Sequence, residues 1–90
     1  MLHIYYQKKI FQDLKRAKKR NYNLDKFYET VEILQNQKTL PSKYKDHALA
    51  GSYSGYRECH IESDWLLIYK IENDVLILVL SRTGTHSDLF

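Results

Sequence analysis

Three of the four histidines, His47, His60 and His86, lie between Tyr44 and Phe90, in company with Asp46, Glu58, Asp64, Arg57 and Arg82. These are the residue types that RNA cleavage without a metal requires. RNA carries its own nucleophile, the 2′-hydroxyl. A base must take that proton, an acid must protonate the leaving 5′-oxygen, and cations must steady the phosphate as it gathers charge. Imidazole serves either proton role because its unperturbed pKa is ~6.5. Guanidinium suits the phosphate, since its planar fork of donors stays charged. The segments between the histidines read as strands, and strands of one sheet bring distant positions side by side. The spacing therefore predicts that the three imidazoles converge on one face as a proton-transferring, RNA-cutting site.

Each residue also has an ordinary reading. A histidine in a loop, as His47 is, is usually surface. His60 fits a half-buried strand residue bonded to backbone, and His86 an incidental residue near the C-terminus. The three could bind zinc together with Asp46, Asp64 or Cys59, although no C-x-x-C or H-E-x-x-H spacing is present. Asp64 either ends a turn or holds a histidine in its working tautomer. Tyr44, Tyr53 and Tyr56 flank the same region, where aromatic faces stack on unpaired bases or simply pack.

The elements that must position these groups follow from periodicity. His3 to Tyr6 is a short β-prone run that suits an edge strand. Ile10, Phe11, Leu14 and Ala17 recur at helical spacing and predict a helix over 7–20. Leu24, Phe27, Val31 and Leu34 predict a second over 25–36, with Asn23 as its N-cap. Two helices so close form an antiparallel hairpin, whose apolar sides must cover a sheet. The connection 39–55, punctuated by Pro41, Gly51 and Gly55, is long for so small a domain and points to function. Three strands follow. In the first, 56–61, alternation sets Tyr56, Glu58 and His60 on one face and Arg57, Cys59 and Ile61 on the other. The second spans 65–71. The third, 75–80, is a near-continuous apolar run typical of a strand buried on both faces. The tail leaves the sheet through Gly84. The fold class is α+β, β-α-α-β-β-β: an antiparallel sheet with two N-terminal helices on one face.

Ninety residues make one domain, 1–90, with a small core. Cys59 is the sole cysteine, so no disulfide forms within the chain and a reducing compartment fits. The first residues do not read as a signal peptide, and Val75–Leu80 is too short to span a bilayer. Net charge is only +3, but seven of the 14 Lys and Arg fall between Lys8 and Arg20, offset there by Asp13 alone. That patch, with Lys15, Arg16, Lys18 and Lys19 at its centre, is a candidate contact for RNA phosphates or an acidic partner; a solvated helix face is the plain alternative.

Three ordered motifs carry a resemblance to a known family. The first is L-P-x-x-Y-x-D-H-x-L-x-G from Leu40 to Gly51. The second is G-Y-R-E-C-H-I-E-x-D-W-L-L-I-Y-K from Gly55 to Lys70, and the third R-T-G-T-H-S-D-L-F from Arg82 to Phe90. Together they resemble the YafQ-type branch of the RelE/ParE toxin superfamily. The resemblance implies a cytoplasmic toxin of a bacterial type II toxin–antitoxin system that cleaves messenger RNA in the ribosomal A site, on a microbial-RNase-like fold. It places catalytic roles on His47, His60, Asp64, His86 and Phe90. It adds one on Glu58, where the best-known member has Asp, and assigns phosphate contact or support of the sheet to Arg82 and Trp65. It implies a 2′,3′-cyclic phosphate product, no metal or other cofactor, and a cognate antitoxin that folds on binding. The rival readings are a ParE-like inhibitor of DNA gyrase and a non-catalytic, antitoxin-binding relative.

Overall fold

The computed structural model describes residues 1–90. In chain order the elements are β1 (His3–Tyr6), α1 (Lys8–Lys19), α2 (Leu24–Gln35), β2 (His47–Ala48), β3 (Arg57–Glu62), β4 (Trp65–Glu72), β5 (Ile77–Gly84) and α3 (His86–Leu89). Single 3₁₀ turns at Ser42–Tyr44 and Gly51–Tyr53 flank β2. The α+β order is as the periodicity predicts, and the two long helices cover one face.

The sheet is mixed rather than wholly antiparallel. Its order is β1-β5-β4-β3-β2, with β1 parallel to β5 and every other pair antiparallel. Side-chain period reports a strand and its faces, not its direction. β1 takes its sense from the helical hairpin that carries the chain away from it.

β5 starts at Ile77, not Val75. Residues 73–76 form the turn, with Val75 and Leu76 exposed and Leu76 at a φ of +56°. The strand then runs on to Gly84, so Ser81 and Arg82 belong to it rather than to a tail. The connection 39–55 is built rather than open: β2 within it pairs with β3. The last residues close as α3, under a capping box in which Thr85 and Asp88 each accept the other's backbone N–H.

The core fills the helix side. Ile10, Ala17, Phe27, Val31 and Leu34 meet Trp65, Leu67 and Tyr69 of β4 and Leu78 and Leu80 of β5. Asn23 caps α2 by accepting the Asp25 N–H at 3.0 Å. On α1 the expected stripe is altered. Phe11 turns outward against Tyr6, and Asp13 lies inward, 2% exposed. β1 ends opposite Leu80, which leaves the edge of β5 uncovered beyond it. Asp13 closes that edge: it accepts the Thr83 N–H at 3.1 Å and the Arg82 guanidinium at 2.7 and 3.1 Å. A buried charge so paired and bonded is tolerable.

The other face is thinly covered. Alternation along β4 turns Leu66 and Ile68 to this side, where only Leu89 of α3 joins them in a small buried cluster. Leu49, Tyr53 and Tyr56 border it, half-buried. The histidines lie on this face.

Candidate active site

Sheet register assembles the site. His47 of β2 pairs directly with Glu58 of β3. His60 is two residues on and shares that face. His60 also stands opposite Leu66, and Leu66 opposite Gly84, so the chain leaving β5 delivers His86 beside His60. The rings of His47 and His60 are 6.5 Å apart, those of His60 and His86 6.1 Å. Phe90, one helical turn on, puts its ring 6.0 Å from that of His86.

Each imidazole is held by Nδ1. His47 Nδ1 lies 2.7 Å from the carbonyl of Lys45, which sits in a left-handed conformation at φ +50°. His60 Nδ1 lies 3.1 Å from the Ser63 carbonyl. A carbonyl oxygen only accepts, so both rings carry hydrogen on Nδ1. His86 Nδ1 faces Asp64 Oδ1 at 3.1 Å, and the same oxygen accepts the His86 backbone N–H at 3.1 Å. That backbone bond first, and the imidazole second, hold the Asp64 carboxyl below the usual carboxylate range. In all three rings Nε2 is left as the nitrogen that can exchange a proton.

Glu58 lies beneath this row, 3% exposed. Its Oε1 is 3.5 Å from His47 Nε2 and 3.8 Å from His60 Nε2. The carboxylate can balance an imidazolium on either ring. The face thus presents two carboxylate–imidazole groupings, one on Glu58 and one on Asp64, with His60 and His86 adjacent between them.

Not every expected member is here. Arg57 pairs in register with Tyr69, on the helix side. It forks onto Asp46 at 3.1–3.4 Å, and Asp46 also accepts the Tyr69 hydroxyl at 2.5 Å. Arg57 and Asp46 are therefore turned away from the imidazoles, because neighbours on a strand face opposite ways. Burial, then the bond to Asp46, raises the Tyr69 phenol well above its usual range. Tyr44 is buried in the main core, and Trp65 lies in it against Tyr22, its indole N–H without a hydrogen-bond partner. Cys59 is fully buried there, and burial pushes its thiol up to about 12. Arg82 reaches Asp13 through Nε and Nη2.

The basic helix is divided. Arg16 lies 3.0 Å from Asp13 and 3.7 Å from Asp88, and Arg20 holds Asp88 at 2.6 and 3.0 Å. Lys15, Lys18 and Lys19 stay exposed without an ion pair. Periodicity does not single out Asp13 or Asp88. The Thr85-x-x-Asp88 spacing is the one signal in the sequence that points to the latter.

Nowhere do three His, Cys, Asp or Glu side chains converge closely enough to hold a metal ion. No helix is long and apolar enough to cross a membrane.

Fold and site together define a class, the small toxins of bacterial type II toxin–antitoxin systems. YafQ from Escherichia coli strain BL21(DE3) superposes with a TM-score of 0.92 at 40% identity, over 100% of this chain and 99% of that one. A metal-bound toxin from Helicobacter pylori superposes with a TM-score of 0.93 at 42% identity, over 100% of both chains. In sequence the chain is 43% identical over 88 residues to the mRNA interferase toxin YafQ of Escherichia coli strain K12, covering 97% of this chain and 94% of that protein. The family model for the bacterial toxin of type II toxin–antitoxin system, YafQ, matches residues 2–90. The chain belongs to the YafQ family of type II toxins, whose curated Escherichia coli members are mRNA interferases, that is, endoribonucleases.

Proposed function

We propose that the protein is a ribosome-dependent mRNA endonuclease of a type II toxin–antitoxin system, working by acid–base transfer between imidazoles. The observation that carries this reading is the row His47–His60–His86 with Nδ1 anchored throughout, and with Glu58 beside Nε2 of the first two rings. One member of the His47–His60 pair takes the proton of the 2′-hydroxyl, and Glu58 balances the imidazolium that forms. The 2′-oxygen bonds to phosphorus as the bond from phosphorus to the 5′-oxygen breaks. His86, oriented by Asp64, gives its proton to that departing oxygen, leaving a 2′,3′-cyclic phosphate and a free 5′-hydroxyl. Each proton role is worth about 10²–10⁴ in rate. The exposed lysines of α1 supply positive potential toward RNA, and Arg82, braced by Asp13, keeps one guanidinium nitrogen for a phosphate.

A toxin this active needs restraint. YafQ in the Escherichia coli DinJ–YafQ toxin–antitoxin complex superposes on this chain with a TM-score of 0.89 at 41% identity. We infer a cognate antitoxin here as well, with cytoplasmic action at the ribosome. No proton shuttle is needed to inhibit gyrase by binding, so three convergent imidazoles favour the nuclease over that rival.

The test is induction of the protein in cells with mapping of messenger RNA 5′ ends. New cuts inside coding frames support the reading, whereas growth arrest without them returns the gyrase alternative. The metal-bound Helicobacter pylori relative makes metal the other rival, and chelation separates the two. Unchanged cleavage in EDTA supports imidazole chemistry; strong inhibition supports a metal.

A further inference from the structure

A row of rings leads away from His86 to a second site. Phe90 stands 6.0 Å from His86, Tyr53 5.6 Å from Phe90, and Tyr56 6.2 Å from Tyr53. The last two rings meet at 86°, which makes a corner. That corner walls an open cavity of ≈ 350 Å³. Lys8, Lys9 and Arg82 line the cavity; Arg82 is paired with Asp13, whereas Lys8 and Lys9 form no ion pair. We propose that this corner binds the nucleobase immediately 3′ of the cleaved bond, with the adjoining phosphate on Lys8 and Lys9.

The fit is chemical as well as spatial. An unpaired base needs a flat face to stack on and a cation for its phosphate. Tyr56 is fixed: its hydroxyl accepts from Gln7 Nε2 at 3.1 Å, Gln7 Oε1 accepts from Ser81 at 2.7 Å, and the Lys70 ammonium sits 4.8 Å from its ring centre. Tyr53 is half-buried between Tyr56 and Phe90 and is the wall on which a base can lie. Ser52 lines the same cavity with a hydroxyl able to meet a base edge. The row begins at the ring that protonates the leaving 5′-oxygen, and that oxygen belongs to the downstream nucleotide. The corner therefore takes the 3′ side of the cut. No other aromatic row leads away from the imidazoles.

This subsite rests on the nuclease reading above, and one experiment separates the two. Ribosomes programmed with an mRNA are treated with the toxin in single turnover, and the half-saturating toxin concentration and the maximal rate are measured. The second RNA carries an abasic residue just 3′ of the mapped cut. Tyr53→Ala is expected to raise half-saturation about tenfold and leave the maximal rate within about twofold. Tyr53→Phe and Tyr53→Trp should keep wild-type values. The abasic RNA should weaken the wild type by a similar factor and weaken Tyr53→Ala no further. Multiplying effects, or a Tyr53→Ala loss confined to the maximal rate, overturn the subsite while the nuclease stands. If Tyr53→Ala fails to fold, the abasic RNA decides with wild type and Tyr53→Phe: unchanged half-saturation for both overturns the proposal. A wild type that cuts neither RNA overturns both readings.

Discussion

The two faces of one sheet are built to opposite rules. On the helix side, Trp65, Leu67 and Tyr69 lie under two amphipathic helices in a close-packed apolar core. On the other side, Leu66 and Ile68 have little but Leu89 above them, and the rest is imidazole, carboxylate and exposed aromatic ring. β4 serves both, because its side chains alternate. The difference teaches that in ninety residues stability and chemistry can share a strand yet be held by different residues. Groups that lose hydration or stand ready to exchange protons are kept where packing does not depend on them.

The sharpest break of that comparison is His86→Ala. It should lower cleavage by about 10²–10⁴-fold, with growth arrest abolished and antitoxin binding and thermal stability preserved. An equally toxic variant would remove His86 from the chemistry. Leu67→Ala, one strand-face away, should do the reverse. A cavity in the core costs about 2–5 kcal/mol, read as a lower urea midpoint, while the folded fraction cleaves at its normal rate.

Asp88 tests the junction between the faces, since it ties α3, and thus His86, to α1. Its bond to Arg20 first, and its bonds within the Thr85 cap after, hold its carboxyl well below the ordinary range. A depressed folded-state pKa stabilises above the unfolded value, ~3.9, and that contribution is lost as pH falls toward the folded value. Asp88→Asn should therefore be less stable than wild type at pH 7, and the gap should narrow as pH falls from about 4 to 2. A gap that stays constant in thermal melts across that range would show that charge is not what holds α3.

The smallest effect belongs to the open surface. Changing Lys15, Lys18 and Lys19 to Gln should weaken ribosome association and flatten its dependence on salt, by roughly 0.7–0.9 in log–log slope for each lysine–phosphate pairing removed. Arg16 is better left intact, because it is engaged with Asp13 and Asp88. An unmoved slope would make those lysines ordinary solvated surface.

Much of this architecture is legible in the residues themselves. The period of Leu24, Phe27, Val31 and Leu34 locates α2, and alternation puts Glu58 and His60 on one face and Cys59 on the other. The convergence of His47, His60 and His86 follows from strands lying side by side. The direction of β1 does not follow, because parallel and antiparallel ladders share the same two-residue period. Charge type groups Arg57 with the imidazoles, yet the alternation that separates it from Glu58 is the stronger constraint and turns it to the helix side. Asp13 reads as one acid among lysines, since nothing local shows that β5 runs past the end of β1 and needs a partner for the Thr83 N–H. Phe11 lies outward on the same helix that carries Asp13 inward.

The most direct measurement is the chemistry of the cut ends in the presence of EDTA. Imidazole acid–base transfer through the 2′-hydroxyl predicts a 2′,3′-cyclic phosphate on the upstream fragment and a 5′-hydroxyl on the downstream one, with undiminished yield. A 5′-phosphate and 3′-hydroxyl, or cleavage that stops on chelation, would contradict the account.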